Sequence, residues 1–164
     1  MNTAYILTGG NLGNRQQNLQ KALLLLSEQA GRIISISSLY ETAAWGNKDQ
    51  PSFLNQAIAL ETHLPADVLL VTILSIEQEM GRRRFEKMGP RTIDIDILFY
   101  NNLVIESNQL VIPHPQLHKR KFVLLPLNEI AGSYIHPVFN KTVSSLLHEC
   151  DDPLTVEKFK VLLP

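Results

Sequence analysis

The residues whose types and spacing best suit chemistry are Asp94 and Asp96, past the middle of the chain. From Thr92 to Ile97 polar and apolar residues alternate, which predicts a strand with one face in the core. Both carboxylates then share a face, with Cα atoms about 6.5 Å apart, and both can reach two cations held about 3.5–4 Å apart. Without a cation the two charges raise each other's pKa and oppose folding. Taken alone, this spacing is more commonly the solvated face of an edge strand.

The cationic side chains around this pair favour a functional site. His114 and Arg120 follow it, and the preceding loop holds five cations against the single Glu86. Mg²⁺ prefers oxygen ligands, and guanidinium groups bind phosphate oxygens. The combination predicts a polyphosphate site, with the basic loop as an anion-binding lid. The cations of that loop are Arg82, Arg83, Arg84, Lys87 and Arg91, with Gly89 and Pro90 as hinges.

A second feature suits a flat heterocyclic ligand. Between Phe53 and Leu60 the pattern predicts another strand, on which Phe53 and Asn55 point the same way. An aromatic face beside an amide offers stacking together with a donor and an acceptor, although a core phenylalanine beside a satisfied asparagine is the commoner arrangement. The only tryptophan, Trp45, lies in a predicted loop.

The elements that must position these residues follow from hydrophobic periodicity and turn residues. Two strand–helix–strand units in series are predicted, with the second and third strands adjacent. This is the order of a ferredoxin-like split βαβ sheet, an α+β fold with an antiparallel sheet and flanking helices. Helices on one face would leave the other face, or its strand ends, for a site. The units comprise strands at 4–8, 32–40, 53–60 and 92–97, with one helix ending near Gly31 and another at 65–80.

After the aspartate strand, Asn101 and Asn102 are predicted to form a hairpin turn that leads into a further strand. Two short helices follow, at residues 122–131 and 143–150, and the first is expected to be interrupted at Pro126. The tail at residues 151–164 receives no function.

The glycines near the first strand invite comparison with phosphate loops. Gly9, Gly10 and Gly13 match neither the dinucleotide fingerprint nor the Walker pattern. They therefore favour a structural strand-to-helix turn.

Composition and charge limit the class of protein. With 164 residues, 45% of them hydrophobic and 19% charged, the chain is predicted to form a single domain spanning residues 1–164. A net charge of −1 argues against a nucleic-acid binder. Cys150 is the only cysteine and no apolar run approaches the length of a membrane span, so a cytoplasmic protein without membrane partners is expected. We also expect a monomer.

Six short segments, taken together, carry a resemblance. They are 9–13 (GGNLG), 40–42 (YET), 53–55 (FLN), 77–84 (EQEMGRRR), 89–96 (GPRTIDID) and 113–120 (PHPQLHKR). In this order they resemble the 6-hydroxymethyl-7,8-dihydropterin pyrophosphokinases of folate biosynthesis. The resemblance implies transfer of the terminal diphosphate of ATP to the hydroxymethyl group of 6-hydroxymethyl-7,8-dihydropterin, with release of AMP.

The resemblance also implies a role for each candidate residue. Asp94 and Asp96 would bind two Mg²⁺ ions, one on the α and β phosphates of ATP and one bringing the pterin hydroxyl to the β phosphorus. Arg82 and Arg91 would neutralise charge on the transferring phosphates. The pterin would contact Thr42, Ala43, Trp45, Phe53, Asn55 and Phe122, and the nucleotide would contact Glu77, Arg82, Arg84, Arg91, Ile97, His114 and Arg120.

The chain departs from the family pattern in two ways. Gly10, Ala43, Met88 and Pro115 differ from the residues usual at their positions, and the basic loop is one residue short. How this loop closes over a pterin therefore does not follow from the resemblance.

Two other functions compete with this one. A two-metal nucleotidyl transferase or nuclease uses the same paired carboxylates and differs in its product, which is pyrophosphate or a nucleotide. A ferredoxin-like RNA-binding module stacks bases on exposed aromatics of its central strands and carries positive charge. The carboxylates on the predicted strand face and the net charge of −1 count against the RNA-binding module.

Overall fold

A computed structural model describes residues 1–43, 49–82 and 91–161 of the chain. The first seven elements form two strand–helix–strand units in series. They are β1 (Asn2–Gly10), α1 (Arg15–Gln29), β2 (Arg32–Ile36), β3 (Tyr40–Thr42), β4 (Phe53–Thr62), α2 (Ala66–Glu79) and β5 (Asp94–Tyr100). The later elements are β6 (Ile105–Glu106), β7 (Val111–Ile112), a 3₁₀ turn (Leu117–Lys119), α3 (Lys121–Ala131), α4 (Val143–Glu149) and β8 (Val156–Lys158).

The main sheet has the strand order β5-β1-β4-β3-β8, with β2 also paired to β4, and its pairings are antiparallel. Each helix of the two units connects strands that are not neighbours, which places β1 and β4 at the centre. The predicted ferredoxin-like split βαβ sheet is confirmed.

The helices of the two units, α1 and α2, lie on one face of this sheet, and the later helices α3 and α4 pack on the other. On one face α1 and α2 pack against Ile6, Leu54, Ile58 and other alternate residues of the strands. On the other face α3 and α4 pack over Ala57 and neighbouring apolar residues. Because the apolar residues of α3 belong to a second core cluster, the helix covers this face only in part. It leaves the strand ends near Gly9 accessible.

The predicted strand at residues 32–40 is broken into β2 and β3. Ser37 causes the break, since its side-chain oxygen accepts the N–H of Ala57 at 2.9 Å in place of a backbone carbonyl. The Ser37 carbonyl in turn accepts the side-chain amide of Gln56 at 3.0 Å. Side-chain groups thus replace part of the strand ladder at this point.

Two further predictions are corrected. Asn101 turns the chain with a positive φ of 48°, yet the strand that follows leaves β5, and β6 pairs with β7 in a separate two-stranded sheet. The helix α3 is continuous through Pro126, which is buried. The ring removes one helical hydrogen bond, and the apolar contacts on both sides of it hold the helix together.

The C-terminal tail, to which the sequence assigned no role, adds β8 to the edge of the main sheet through antiparallel pairing with β3. In the part of the chain that the structure describes, no helix has the length and apolar character needed to cross a membrane.

Candidate active site

The register of three strands places the carboxylates beside an amide. Asp94 lies opposite Gly9, and Gly9 lies opposite Asn55, so these residues form one row across the sheet on the face of α3. A Cβ atom at Gly9 would lie 2.2 Å from the Asn55 side-chain oxygen. Only glycine therefore lets the Asn55 amide lie across the centre of the row. Asp96, opposite Leu7, belongs to the next row.

An open cavity lies over these rows. Its walls contain both sets of residues that the sequence singled out, the carboxylates with their cations and the aromatic–amide group. The prediction that Phe53 and Asn55 point the same way is confirmed. The lining residues are Leu7, Gly9, Thr42, Ala43, Phe53, Asn55, Arg91, Asp94, Asp96, Arg120 and Phe122.

Two arginines hold Asp94. The Nη1 atom of Arg82 lies 2.5 Å from Oδ1, and that of Arg91 lies 3.0 Å from Oδ2. Arg82 also contacts the Glu77 carboxylate at 2.7 Å. Burial lowers the pKa of Arg82, but Asp94 and Glu77 more than offset this and the pKa is raised overall. The guanidinium therefore remains fixed as a cation beside the paired carboxylates.

Asp96 has a different environment. Within residues 1–43, 49–82 and 91–161 no group donates a hydrogen bond to its carboxylate, and the side chain is partly buried. Burial, together with the nearby charges of Asp94 and Glu77, raises the pKa of Asp96 to about 7, against the opposing effect of Arg82 and Arg91. A cation bound at this point would remove the repulsion between the carboxylates.

Glu77 lies below the cavity instead of lining it. Its side chain is buried, and Oε2 accepts the N–H of Ile95 at 2.8 Å as well as the Arg82 guanidinium. Because β5 is an edge strand, the Ile95 N–H has no strand partner on that side. Glu77 therefore joins the sheet edge to Arg82.

Asn11 was missed by sequence reasoning. It is buried, its Oδ1 accepts the N–H of Arg91 at 2.9 Å, and its own N–H donates to the Arg91 carbonyl at 3.0 Å. Its side-chain amide also donates to Gln50 and to the Pro51 carbonyl, both at 3.0 Å. Asn11 thereby fixes the main chain at Arg91. No local sequence pattern signals this role.

Gly10 makes the same junction possible. A Cβ atom there would lie 2.3 Å from the Thr92 carbonyl oxygen. Gly9 and Gly10 thus belong to the end of β1, and close backbone and side-chain approach explains both. This agrees with the structural interpretation of these glycines.

The aromatic residues of the cavity each contact a guanidinium. Arg91 lies over the Phe53 ring at 5.2 Å, and Arg120 lies over the Phe122 ring at 5.7 Å. Between them the side-chain nitrogen of Asn55 is buried without a hydrogen-bond partner among the described residues. A buried donor in a cavity wall is the group that a ligand acceptor satisfies.

His114 is not among the residues that line this cavity, and it lines a separate pocket together with His118 and His136. Its Nδ1 accepts the N–H of Gln116 at 3.1 Å. Burial lowers the pKa of His114 to about 4, with a smaller contribution from Arg120 that Asp94 opposes. The imidazole is therefore neutral at pH 7, with its Nε2–H available as a donor.

The predicted nucleotide residue Ile97 is not brought to the cavity. The side chain of Ile97 is buried on the opposite face of β5, in the core beneath α1 and α2. Trp45 and Arg84 lie outside the described residues, as do Arg83, Lys87 and Met88 of the basic loop. In the described part of the chain no three His, Cys, Asp or Glu side chains cluster as metal ligands, so any ion here would have two carboxylates from the protein.

Comparison with known proteins identifies related chains. The family model for 7,8-dihydro-6-hydroxymethylpterin-pyrophosphokinase matches residues 5–132. The chain is 45% identical over 130 residues to the 2-amino-4-hydroxy-6-hydroxymethyldihydropteridine pyrophosphokinase of Bacillus subtilis, covering 79% of this chain and 78% of that protein. It is 42% identical over 149 residues to the protein of the same name from Aquifex aeolicus, covering 91% and 92%.

Solved structures provide a comparison of folds. The crystal structure of wild-type Plasmodium falciparum HPPK-DHPS has a TM-score of 0.70 with this chain and 22% sequence identity. The match covers 91% of this chain, which spans only 43% of that longer protein. At this level of identity the comparison shows that the two folds correspond.

Proposed function

The chain belongs to the 7,8-dihydro-6-hydroxymethylpterin-pyrophosphokinase family, and we propose that the cavity between β1, β4, β5 and α3 is where it works. The activity of the family is pyrophosphoryl transfer from ATP to hydroxymethyldihydropterin in folate synthesis. One observation carries the assignment of the site: the sheet register puts Asp94 and Asp96 in the same cavity as the unsatisfied Asn55 amide.

The pterin occupies the end of the cavity between Phe53 and Phe122. Phe53 lies on β4, Phe122 lies on α3 and both line the cavity, so a flat heterocycle is proposed to stack between the two rings. The free N–H of Asn55 donates to an acceptor on the edge of the pyrimidine ring. Thr42 and Ala43 form the adjoining wall, and Trp45 is proposed to lie near it on the family pattern.

The part of the cavity that contains Asp94 and Asp96 suits magnesium. Mg²⁺ takes one or two carboxylates from a protein and completes its shell with water and substrate phosphates. Asp94 and Asp96 supply that number of ligands, and burial together with the charges of Asp94 and Glu77 disfavours the ionised form of Asp96 in the absence of a cation. We propose two Mg²⁺ ions, which would contribute positive charge at the phosphate oxygens.

The protein itself contributes positioning and charge. Arg82 and Arg91 lie against Asp94 and can neutralise charge on the phosphoryl group in transfer. His114 and Arg120 bind the nucleotide from the other side, with Arg84 of the basic loop. Glu77 acts through Arg82, and Ile97 takes part by its main chain only.

The reaction needs no covalent enzyme intermediate. The pterin hydroxyl attacks the β phosphorus of ATP, loses its proton, and AMP leaves from the opposite side. The side chains hold the two substrates in line and exclude water between them.

Product analysis tests this function. With ATP, Mg²⁺ and 6-hydroxymethyl-7,8-dihydropterin, we expect AMP to form only when the pterin is present. Chelation of the metal should abolish AMP formation, and excess Mg²⁺ should restore it. Chromatographic separation of the adenine nucleotides measures the result. ADP would indicate an ordinary kinase, and pyrophosphate with a nucleotidylated product would indicate a nucleotidyl transferase.

Substitution of the stacking residues should affect binding more than chemistry. Phe53→Ala and Phe122→Ala are each expected to raise the pterin KM about tenfold or more, the size of a lost ring stack. Turnover at saturating pterin should stay within about threefold of the unmodified enzyme. Steady-state kinetics measures both, with Phe139→Ala, an exposed ring outside the cavity, as the control. An unchanged pterin KM would exclude the proposed stack.

The domain organisation, oligomeric state and cellular location of the protein are proposed as well. Residues 1–164 are proposed to act as one domain, because β8 near the C-terminal end joins the same sheet as β1. We also propose that the enzyme is a monomer. A single cysteine fits work in the reducing cytoplasm.

A further inference from the structure

Asp152 hydrogen-bonds the C-terminal segment, from Asp152 to Lys158, to the start of α3, which forms one wall of the cavity. This carboxylate is only 4% exposed. Its Oδ2 accepts the N–H of Lys121 at 3.1 Å, at the first residue of α3, and its Oδ1 accepts the N–H of Leu154 at 3.0 Å. Lys121 lies between Arg120 and Phe122, which both line the cavity. Asp152 therefore fixes the start of α3.

Through β8 the same segment is also hydrogen-bonded to the part of the cavity lining that contains Thr42. The carbonyl of Thr155 accepts the hydroxyl of Thr42 at 3.2 Å. Val156 lies opposite Thr42 in the antiparallel pairing of β8 with β3. Thr42 and Ala43 line the same cavity as Phe122. Seven residues of chain thus link two sides of the cavity that are about 80 positions apart in the sequence.

The charge of Asp152 also connects the C-terminal segment to the cavity. Burial lowers the pKa of Arg120, and Asp152 is one of three carboxylates that oppose this effect, together with Asp96 and Asp94. Of these three carboxylates, Asp94 and Asp96 line the cavity and Asp152 does not. Its charge therefore favours the charged form of the Arg120 guanidinium.

We infer that Asp152 is a positioning residue, which sets the placement of Phe122 against the Thr42 wall and thereby the affinity for the pterin. The inference rests on the pterin site proposed above. It assigns a function to the tail, in which the sequence shows no motif. A carboxylate with two acceptor oxygens suits this task because one oxygen binds the helix and the other binds the tail.

Substitutions at Asp152 test the inference. Asp152→Ala is expected to raise the pterin KM about tenfold, the effect of losing hydrogen bonds to a charged acceptor. Asp152→Asn keeps one of the two acceptor oxygens and should raise it by less. Turnover at saturating pterin should remain within about threefold of normal, since the paired aspartates and the two arginines that contact Asp94 are not altered. Asp151→Asn, at the exposed neighbour, is the matched control and should change neither parameter.

Kinetic constants separate positioning from simple loss of folding. A variant that is only less stable loses active protein, which lowers apparent turnover and leaves the pterin KM unchanged; that result would overturn the inference. Thermal unfolding of each variant fixes the folded fraction used in the calculation. If Asp152→Ala does not fold, Asp152→Asn decides, and an unchanged KM for that variant overturns the inference equally.

A double-mutant cycle with Phe122→Ala identifies the route of the effect. If Asp152 acts through Phe122, Asp152→Asn should have little further effect on the pterin KM once Phe122 is alanine. Fully additive effects would overturn the inference. The cycle also separates this inference from the site on which it rests. An unchanged KM for Phe122→Ala alone would contradict the pterin site, whereas a raised KM for Phe122→Ala with none for Asp152→Ala contradicts only the role of Asp152.

Discussion

Asp96→Asn is expected to lower turnover about 10³-fold while it raises the thermal stability of the metal-free enzyme. The loss of turnover follows from the loss of a metal ligand, and a factor of this size corresponds to about 4 kcal/mol in the barrier. The gain in stability follows from removing a charge that is unfavourable in the metal-free protein. Without a cation, the charge of Asp96 is opposed by burial, by Asp94 and by Glu77.

The direction of the pKa shift at Asp96 determines how the stability of the metal-free enzyme changes with pH. The folded-state pKa of Asp96 is raised from 3.8 to about 7. The folded protein therefore holds a proton that the unfolded chain has lost, and stability of the metal-free enzyme falls as pH rises from about 4 to about 7. The advantage of Asp96→Asn over the unmodified enzyme should grow across this interval and become constant above it.

Thermal unfolding between pH 5 and pH 8, with chelator or with Mg²⁺, measures both effects. Saturating Mg²⁺ should stabilise the unmodified enzyme more than Asp96→Asn, because the variant binds the ion more weakly. Asp151→Asn, which is exposed, should show neither effect. Near-normal turnover of Asp96→Asn, or of Asp96→Ala, would mean that Asp96 is not a metal ligand.

The sequence was sufficient for those parts of the site that depend on local alternation. Asp94 and Asp96 share a face because a strand places every second side chain on one side, and the same rule aligned Phe53 with Asn55. The alternation does not indicate where the strand bends. The pairing of β1 with β5 shifts register between Tyr5 and Ile6, which brings the following residues of β5 into the second core.

The parts that could not be predicted depend on contacts between distant segments. Asn11 is bonded to Arg91, 80 positions away, and Gly9 is required by the side chain of Asn55. Asp152 meets α3 only because the tail returns to the sheet edge. None of these residues has a local pattern of its own, since a single buried amide or carboxylate has the same sequence signature as an exposed one.

Arg82→Ala is expected to lower both stability and turnover. Its guanidinium contacts the carboxylates of Glu77 and Asp94, and the Arg82 and Glu77 side chains are 12% and 4% exposed. Removing one partner from so buried a group costs about 3 kcal/mol or more in the free energy of unfolding. Turnover should fall about 10²-fold, because charge on the transferring phosphates loses one cation. Chemical denaturation and steady-state kinetics measure the two quantities.

A second substitution separates the two roles of Arg82. In the Arg82→Ala background, Glu77→Gln removes the buried negative charge that the guanidinium balanced, while the amide oxygen can still accept the N–H of Ile95. Much of the lost stability should return, since replacing both members of a buried ion pair is far less damaging than removing one. Turnover should not return, because it depends on positive charge at the phosphates. If the double variant is no more stable than Arg82→Ala, the pair with Glu77 contributes little, and Arg82 acts mainly on Asp94 and on ATP.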